Sequence, residues 1–145
     1  MSYHTKFTGQ FDLDKTLTLE QFNILNDFAE TDHRTEQGVP DIWCDWVPAK
    51  DGKAIACAGN DVSFYNYDEW LEYLIKHFLQ PWGYALNGSA RWQGEETGDT
   101  GTLSVRNNVV TMLKDEESRS QAEHYLIEAL SNESAHHKQI GRAHV

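Results

Sequence analysis

Residues Tyr67–Leu86 read YDEWLEYLIKHFLQPWGYAL, and the folding of this stretch decides how its neighbours are read. Trp70, Leu71, Leu74, Ile75, Phe78 and Leu79 form a stripe two residues wide that recurs every four positions. Glu69, Glu72, Lys76 and Gln80 occupy much of the remainder. Such a stripe predicts one amphipathic helix, wide enough on its apolar side to lie on a sheet. Asn66 with Glu69 offers a capping pair at its start. Pro81 lacks a backbone donor and restrains Gln80, so the helix should stop there. Aromatics crowd both ends, Tyr67 and Trp70 at the start and Trp82 and Tyr84 at the finish, and most are expected to build the core.

The flanking segments supply the sheet. On the C-terminal side, Ala90–Gln93 reads as a strand, followed by the loop 94–101. Leu103–Leu113 then reads as a tight hairpin about Asn107-Asn108, a pair that tolerates left-handed backbone. That turn sets Val105 opposite Val110 and Leu103 opposite Met112, which gathers four apolar side chains; a one-residue slip would scatter them. On the N-terminal side, Ile42–Ala58 reads as a hairpin turning near Asp51-Gly52, with Trp46 opposite Cys57 and Pro48 opposite Ile55. Cys44, Trp46, Ile55 and Cys57 then share a face, and Pro48 requires an edge strand or a bulge. At the start of the chain Tyr3, Thr5, Phe7, Gly9 and Phe11 alternate with polar residues, the period of a half-buried strand. Thr18 and Gln21 have the spacing of a capping box before Phe22, Leu25, Phe28 and Ala29. After a polar loop over 31–40 and the elements above, Asp115–Asn132 predicts a last helix with Ala122, Tyr125, Leu126, Ala129 and Leu130 on one side.

The expected architecture is α+β: one domain over 1–132, a mainly antiparallel sheet against two helices, plus a C-terminal helix. Residues 133–145 read as a tail. Its last six, IGRAHV, resemble the translation of a sequencing adapter and are given no functional weight.

At 145 residues, 39% apolar and 24% charged, the chain can bury a core without metal or disulfide support. Its 23 acidic and 12 basic residues leave a net charge of −11. That field opposes direct nucleic-acid and anionic-membrane binding. No run approaches the ~18 apolar residues of a membrane span. Cys44 and Cys57, with no export signal, are expected as reduced thiols in a cytoplasm.

The segments YHTKFTGQFDLDK (3–15), IWCDWVP (42–48), FYNYDEWLEYLIKHFLQPWGYALNGSARWQGE (64–95), TGDTG (97–101) and NNVVTML (107–113) resemble an uncharacterised family of small proteins. That family is associated with bacteriophages, prophages and their bacterial hosts. The likeness spans Tyr3 to about Leu113, and its most specific stretch is 64–95. Members carry a longer polar insert where this chain has 31–40, and they often end soon after the last strand. The resemblance implies a phage or prophage setting in a bacterial cytoplasm; it brings no activity, cofactor or catalytic residue.

Chemistry-bearing patterns are sparse. The loop 95–101 gathers Glu95, Glu96 and Asp99 but lacks the ligand spacing of a calcium loop. Of seven histidines, His4, His33, His77 and His124 fall on different elements and His136-His137 are adjacent in the tail, without zinc-ligand spacing. Both cysteines fall in predicted strands rather than at a helix N-terminus that would activate a thiol. No metal, cofactor or catalytic residue is therefore assigned. Trp43 and Trp46 should point to opposite sides of one strand, and Trp43 reads equally as a partner contact on the outer face or as part of the core. The leading expectation is a non-enzymatic interaction protein with an acidic, aromatic surface comprising Trp43, Asp45, Glu95, Glu96 and Asp99. Its partner would be an unidentified host or phage protein, with homodimerisation open. The alternative is a small enzyme or ligand-binding protein with a pocket near Trp82, Tyr84 and Trp92.

Overall fold

The computed structural model describes residues 3–59 and 62–115; the expected C-terminal helix and tail lie outside the described residues. The chain runs β1 (Thr5–Leu13), α1 (Leu19–Ala29), β2 (Trp46–Pro48), β3 (Ala54–Cys57), α2 (Tyr67–Leu74), a π-helical segment (Ile75–Leu79), β4 (Leu86–Gly94), β5 (Thr100–Arg106) and β6 (Val109–Lys114). The six strands form one antiparallel sheet in the order β2-β3-β1-β4-β5-β6. With the two helices this is an α+β fold. The first strand of the chain sits inside the sheet, between β3 and β4, so N- and C-terminal sequence meet at its centre.

Both hairpins have the expected register. Trp46 opposes Cys57 and Pro48 opposes Ile55; Val105 opposes Val110 and Leu103 opposes Met112. Asn107 and Asn108 take φ of 47° and 71°, the left-handed pair a two-residue hairpin turn needs. Their amides also bind outside the turn. Asn87 Oδ1 accepts the Asn107 N–H (2.7 Å), while Asn108 Oδ1 accepts from Leu86 N–H (2.7 Å) and Nδ2 donates to Tyr84 O (3.0 Å). A glycine would supply the backbone conformation but none of the Asn108 side-chain ties. They fasten the β5–β6 turn to the start of β4, which begins at Leu86, four residues before the expected Ala90.

The central helix departs from its expectation in two ways. Asn66 is not a side-chain cap: its φ of 55° is left-handed, and Nδ2 donates instead to Pro40 O (2.8 Å). The amide is recruited to hold the 40–43 segment rather than the helix end. Nor is the run uniformly α-helical. Gln80 N–H donates to Ile75 O (2.8 Å) and Tyr84 N–H to Leu79 O (2.9 Å), each five residues back. The stripe itself explains this. At about 3.6 residues per α turn a four-residue repeat drifts roughly 40° each time, and the wider i→i+5 turn offsets the drift. Trp70, Leu71, Leu74, Ile75 and Leu79 are all buried and Phe78 is partly so. They join Phe11, Leu25, Trp46, Phe64, Leu86, Trp92, Leu103 and Val105 in one core.

Helix α1 starts as expected. Thr18 Oγ1 accepts from Gln21 N–H (3.1 Å), and Gln21 Oε1 accepts from Thr18 N–H (3.0 Å), a complete capping box. The buried Tyr84 hydroxyl lies 2.5 Å from Gln21 Oε1 and 3.0 Å from Thr16 O. One helix start is thereby locked to the entry of β4. Beyond the other end of α1, His33 is buried, with Nδ1 2.5 Å from Glu36 Oε2 and Nε2 3.0 Å from Phe28 O. Its ring lies against Phe28 and Trp70. The polar loop 31–40 is thus pinned to the core by a histidine that shows no apolar periodicity. No helix among the described residues is long and apolar enough to cross a membrane.

Candidate functional site

The sheet's inner face ends in a polar knot where the loop after β4 meets the chain start. Trp92 Nε1–H donates to Asp99 Oδ1 (3.0 Å), and the Tyr3 hydroxyl donates to Asp99 Oδ2 (2.5 Å). The Tyr3 oxygen in turn accepts from Glu96 N–H (3.1 Å). Both Asp99 oxygens are therefore engaged, and that acceptor raises the Tyr3 phenol above its ordinary value, because losing the proton would break the bond. A Cβ on Gly94 would overlap both the Tyr3 hydroxyl and the Asp99 carboxylate, so glycine is what lets the knot close over the strand. Gly101 does the same on the neighbouring strand, where a Cβ would overlap the Trp92 ring.

Around the knot lies a surface of carboxylates and phenols. Glu95 Oε1 accepts from His4 N–H (2.8 Å), and the two side chains approach to 3.5 Å. Tyr65, 44% exposed, accepts the Tyr3 N–H on its hydroxyl (3.0 Å). Hydrogen bonding to Ser63, then to Tyr3, lowers the Tyr65 phenol, while Asp41 and Glu95 lie near enough to oppose that shift. Asp41 belongs to the segment that Asn66 holds at Pro40, and Trp43, two residues on, is also 44% exposed. An open cleft of about 460 Å³ beside the knot is lined by Tyr3, Glu96, Thr97, Gly98, Asp99 and Lys114.

The structure thus brings together Glu95, Glu96, Asp99 and Trp92. Only the two glutamates expose their side chains broadly, since Trp92 is buried and Asp99 serves as its anchor. Trp43 is exposed but precedes β2 rather than lying in a strand, and Asp45 is partly buried, with its carboxyl raised by desolvation. Trp82 and Tyr84 lie elsewhere. Their rings meet edge to face at 6.5 Å near the start of β4, whereas Trp92 is six residues along from Leu86, roughly 20 Å at ~3.3 Å per residue. The three aromatics named for a shared pocket do not converge, and Tyr84 and Trp92 are committed to the core. Neither Tyr3 nor Tyr65 stands out as a site residue in the sequence. Tyr3 reaches a partner 96 positions away, a distance over which periodicity and motif spacing carry no signal.

Neither cysteine is an activated nucleophile. Burial pushes the Cys44 thiol up to about 12 and the Cys57 thiol up to about 11, so neither supplies thiolate near neutral pH. Both cysteines are unbridged. Among the described residues no group of three or more His, Cys, Asp or Glu is placed to hold a metal. The surface around the knot sets negative charge beside aromatic rings. Compared with known proteins, the chain matches no family model, no curated protein and no solved structure.

Proposed function

We propose that this chain is a non-enzymatic interaction domain whose acidic, aromatic end binds a basic segment of another protein. The observation that carries the reading is Tyr65: half-exposed, held by the Tyr3 backbone, and flanked by Asp41 and Glu95. A ring fixed in place loses little entropy on binding, and neighbouring carboxylates favour a lysine or arginine over its face. Trp43 and Glu96 extend the same chemistry, and a net charge of −11 speeds encounter with a positive partner. The phage or prophage accessory role, and with it a bacterial host cytoplasm, rests on the sequence resemblance alone, most specific over 64–95.

The test is cross-linked capture from bacterial lysate at low and high salt, with wild type beside a Trp43→Ala/Tyr65→Ala double variant. Support is a species captured by wild type, lost by the variant and weakened by salt. Capture that ignores both the substitutions and the salt removes this surface from the function, and so does the failure to capture anything at low salt.

A further inference from the structure

The opposite end of the sheet carries a second, chemically different surface. Strand β6 is an outer strand, paired among the described residues only with β5. Because Asn107-Asn108 is a two-residue turn, Arg106 and Val109 form a hydrogen-bonded pair and the pattern alternates from there. Ser104 with Thr111 and Thr102 with Leu113 follow as bonded pairs. Val110 and Met112 consequently direct their N–H and C=O groups away from β5, along the rim of the sheet. Their side chains pack on the core, which holds that rim straight.

Two features distinguish this rim from ordinary polar surface. The hairpin Thr100–Lys114 contains Arg106 and Lys114 and no Asp or Glu, within a chain of net charge −11. Next, the cross-strand pairs Ser104–Thr111 and Arg106–Val109 line an open cleft of about 490 Å³ on the outer face. Val109 is 65% exposed there, and among the described residues no carboxylate forms an ion pair with Arg106. At the far end of the strand, by contrast, Lys114 shares its cleft with Glu96 and Asp99. The site that can accept negative charge is therefore the Arg106 end, about 17 Å from Lys114 at ~3.4 Å per residue.

We propose that β6 is a docking edge for an extended peptide segment bearing an acidic side chain, which adds as a seventh strand. The backbone groups of Val110 and Met112 form the new ladder, and the acidic side chain lies on the outer face over Val109, toward the Arg106 guanidinium. Main-chain bonds of this kind supply affinity, and alternate side chains supply selection. A second copy of this chain fits less well, since two bodies of strong like charge repel and β6 carries no carboxylate to offer the other's Arg106. This surface is separate from the one around Tyr65, so the two readings stand or fall independently.

The experiment follows backbone amides of the whole 15N-labelled chain by hydrogen exchange and chemical shift. Two probes are used, an acetylated and amidated TVEVT peptide and its TVKVT counterpart. TVEVT is expected to slow exchange at Val110 and Met112 by roughly tenfold at saturation, a local closing of the edge. TVKVT should bind about two- to fivefold more weakly, and Arg106→Gln should erase that difference, as for one exposed charge contact. Val110→Pro removes an outward N–H without touching the β5 ladder and should abolish binding of both; if it disturbs the hairpin, Arg106→Gln still decides. Four results would overturn the proposal. They are no response at Val110 and Met112, equal binding of the two peptides, protection of both amides before any peptide is added, and protection that rises with protein concentration alone.

Discussion

The two edges of the sheet manage the same hazard in opposite ways. Strand β2 has three residues, and one of them is Pro48. Ala49 N–H donates to Ala54 O and Ala58 N–H to Asp45 O, both at 2.8 Å, so Pro48 falls at an alternate position whose nitrogen points off the sheet. Its ring, buried against the body of the protein, removes a donor from the outer side of β2. Trp46 then anchors this edge from inside, with Nε1–H donating to Tyr67 O (2.7 Å) and its ring packed edge-on to Phe7, Phe11 and Phe64. Strand β6 has six residues, no proline, and the exposed Val109. An edge that is short, blocked and bolted down is finished as structure. One that is longer and carries an outward-facing ladder has kept a binding capacity.

The strongest way to break the contrast is Trp46→Ala. It removes a buried indole and leaves the Tyr67 carbonyl without its donor, and it should cost about 3–5 kcal/mol of unfolding free energy in urea titration. The neighbour of the open edge is the next target. Gly101→Ala forces the Trp92 ring aside and should cost roughly 1–3 kcal/mol by the same measurement. Trp92→Phe keeps a ring beside Gly101 but strips Asp99 of one donor, and should cost about 1–2 kcal/mol.

Pro48→Val sharpens the comparison at a buried position of the short edge. Replacing the buried ring and restoring an outward N–H should cost about 1 kcal/mol and raise concentration-dependent association in light scattering, because β2 would then resemble β6. An unchanged monomer would show that the length of β2, not its proline, protects that edge. The smallest effect concerns Asp45, next to Trp46. Burial raises its carboxyl above the ordinary 3.8, so the folded state holds the proton more tightly than the unfolded chain. The penalty for ionising it is absent below about pH 3.8 and fully present above the raised value. Asp45→Asn should therefore raise the thermal midpoint at pH 7, and the gain over wild type should shrink as the pH falls through the acid range.

Much of this molecule is legible from short-range rules. The capping box at Thr18, the left-handed Asn107-Asn108 turn and both hairpin registers each depend on residues within a dozen positions. The backbone period and turn chemistry act at that range. Even the π-helical segment is latent in the four-residue spacing of the stripe, although the stripe taken alone predicts a plain α-helix. The aromatic core follows from the same spacing, whereas Trp43, read from the sequence as part of a strand, lies in irregular chain before β2.

Other features arise only when distant regions of the chain meet. Asn66 carries the signature of a cap, but tertiary packing turns its backbone left-handed and gives its amide to Pro40. His33 lies in a polar run and is buried, because its two ring nitrogens both find partners. Tyr3 and Asp99 stand 96 positions apart and meet over Gly94, since β1 is inserted between β3 and β4 rather than left at an edge. Strand order is set by which apolar faces can be covered together, a property of the assembled sheet. Local sequence specifies where elements begin, turn and end. Which side chains share a surface, and which sheet edge stays open, is decided only by three-dimensional closure.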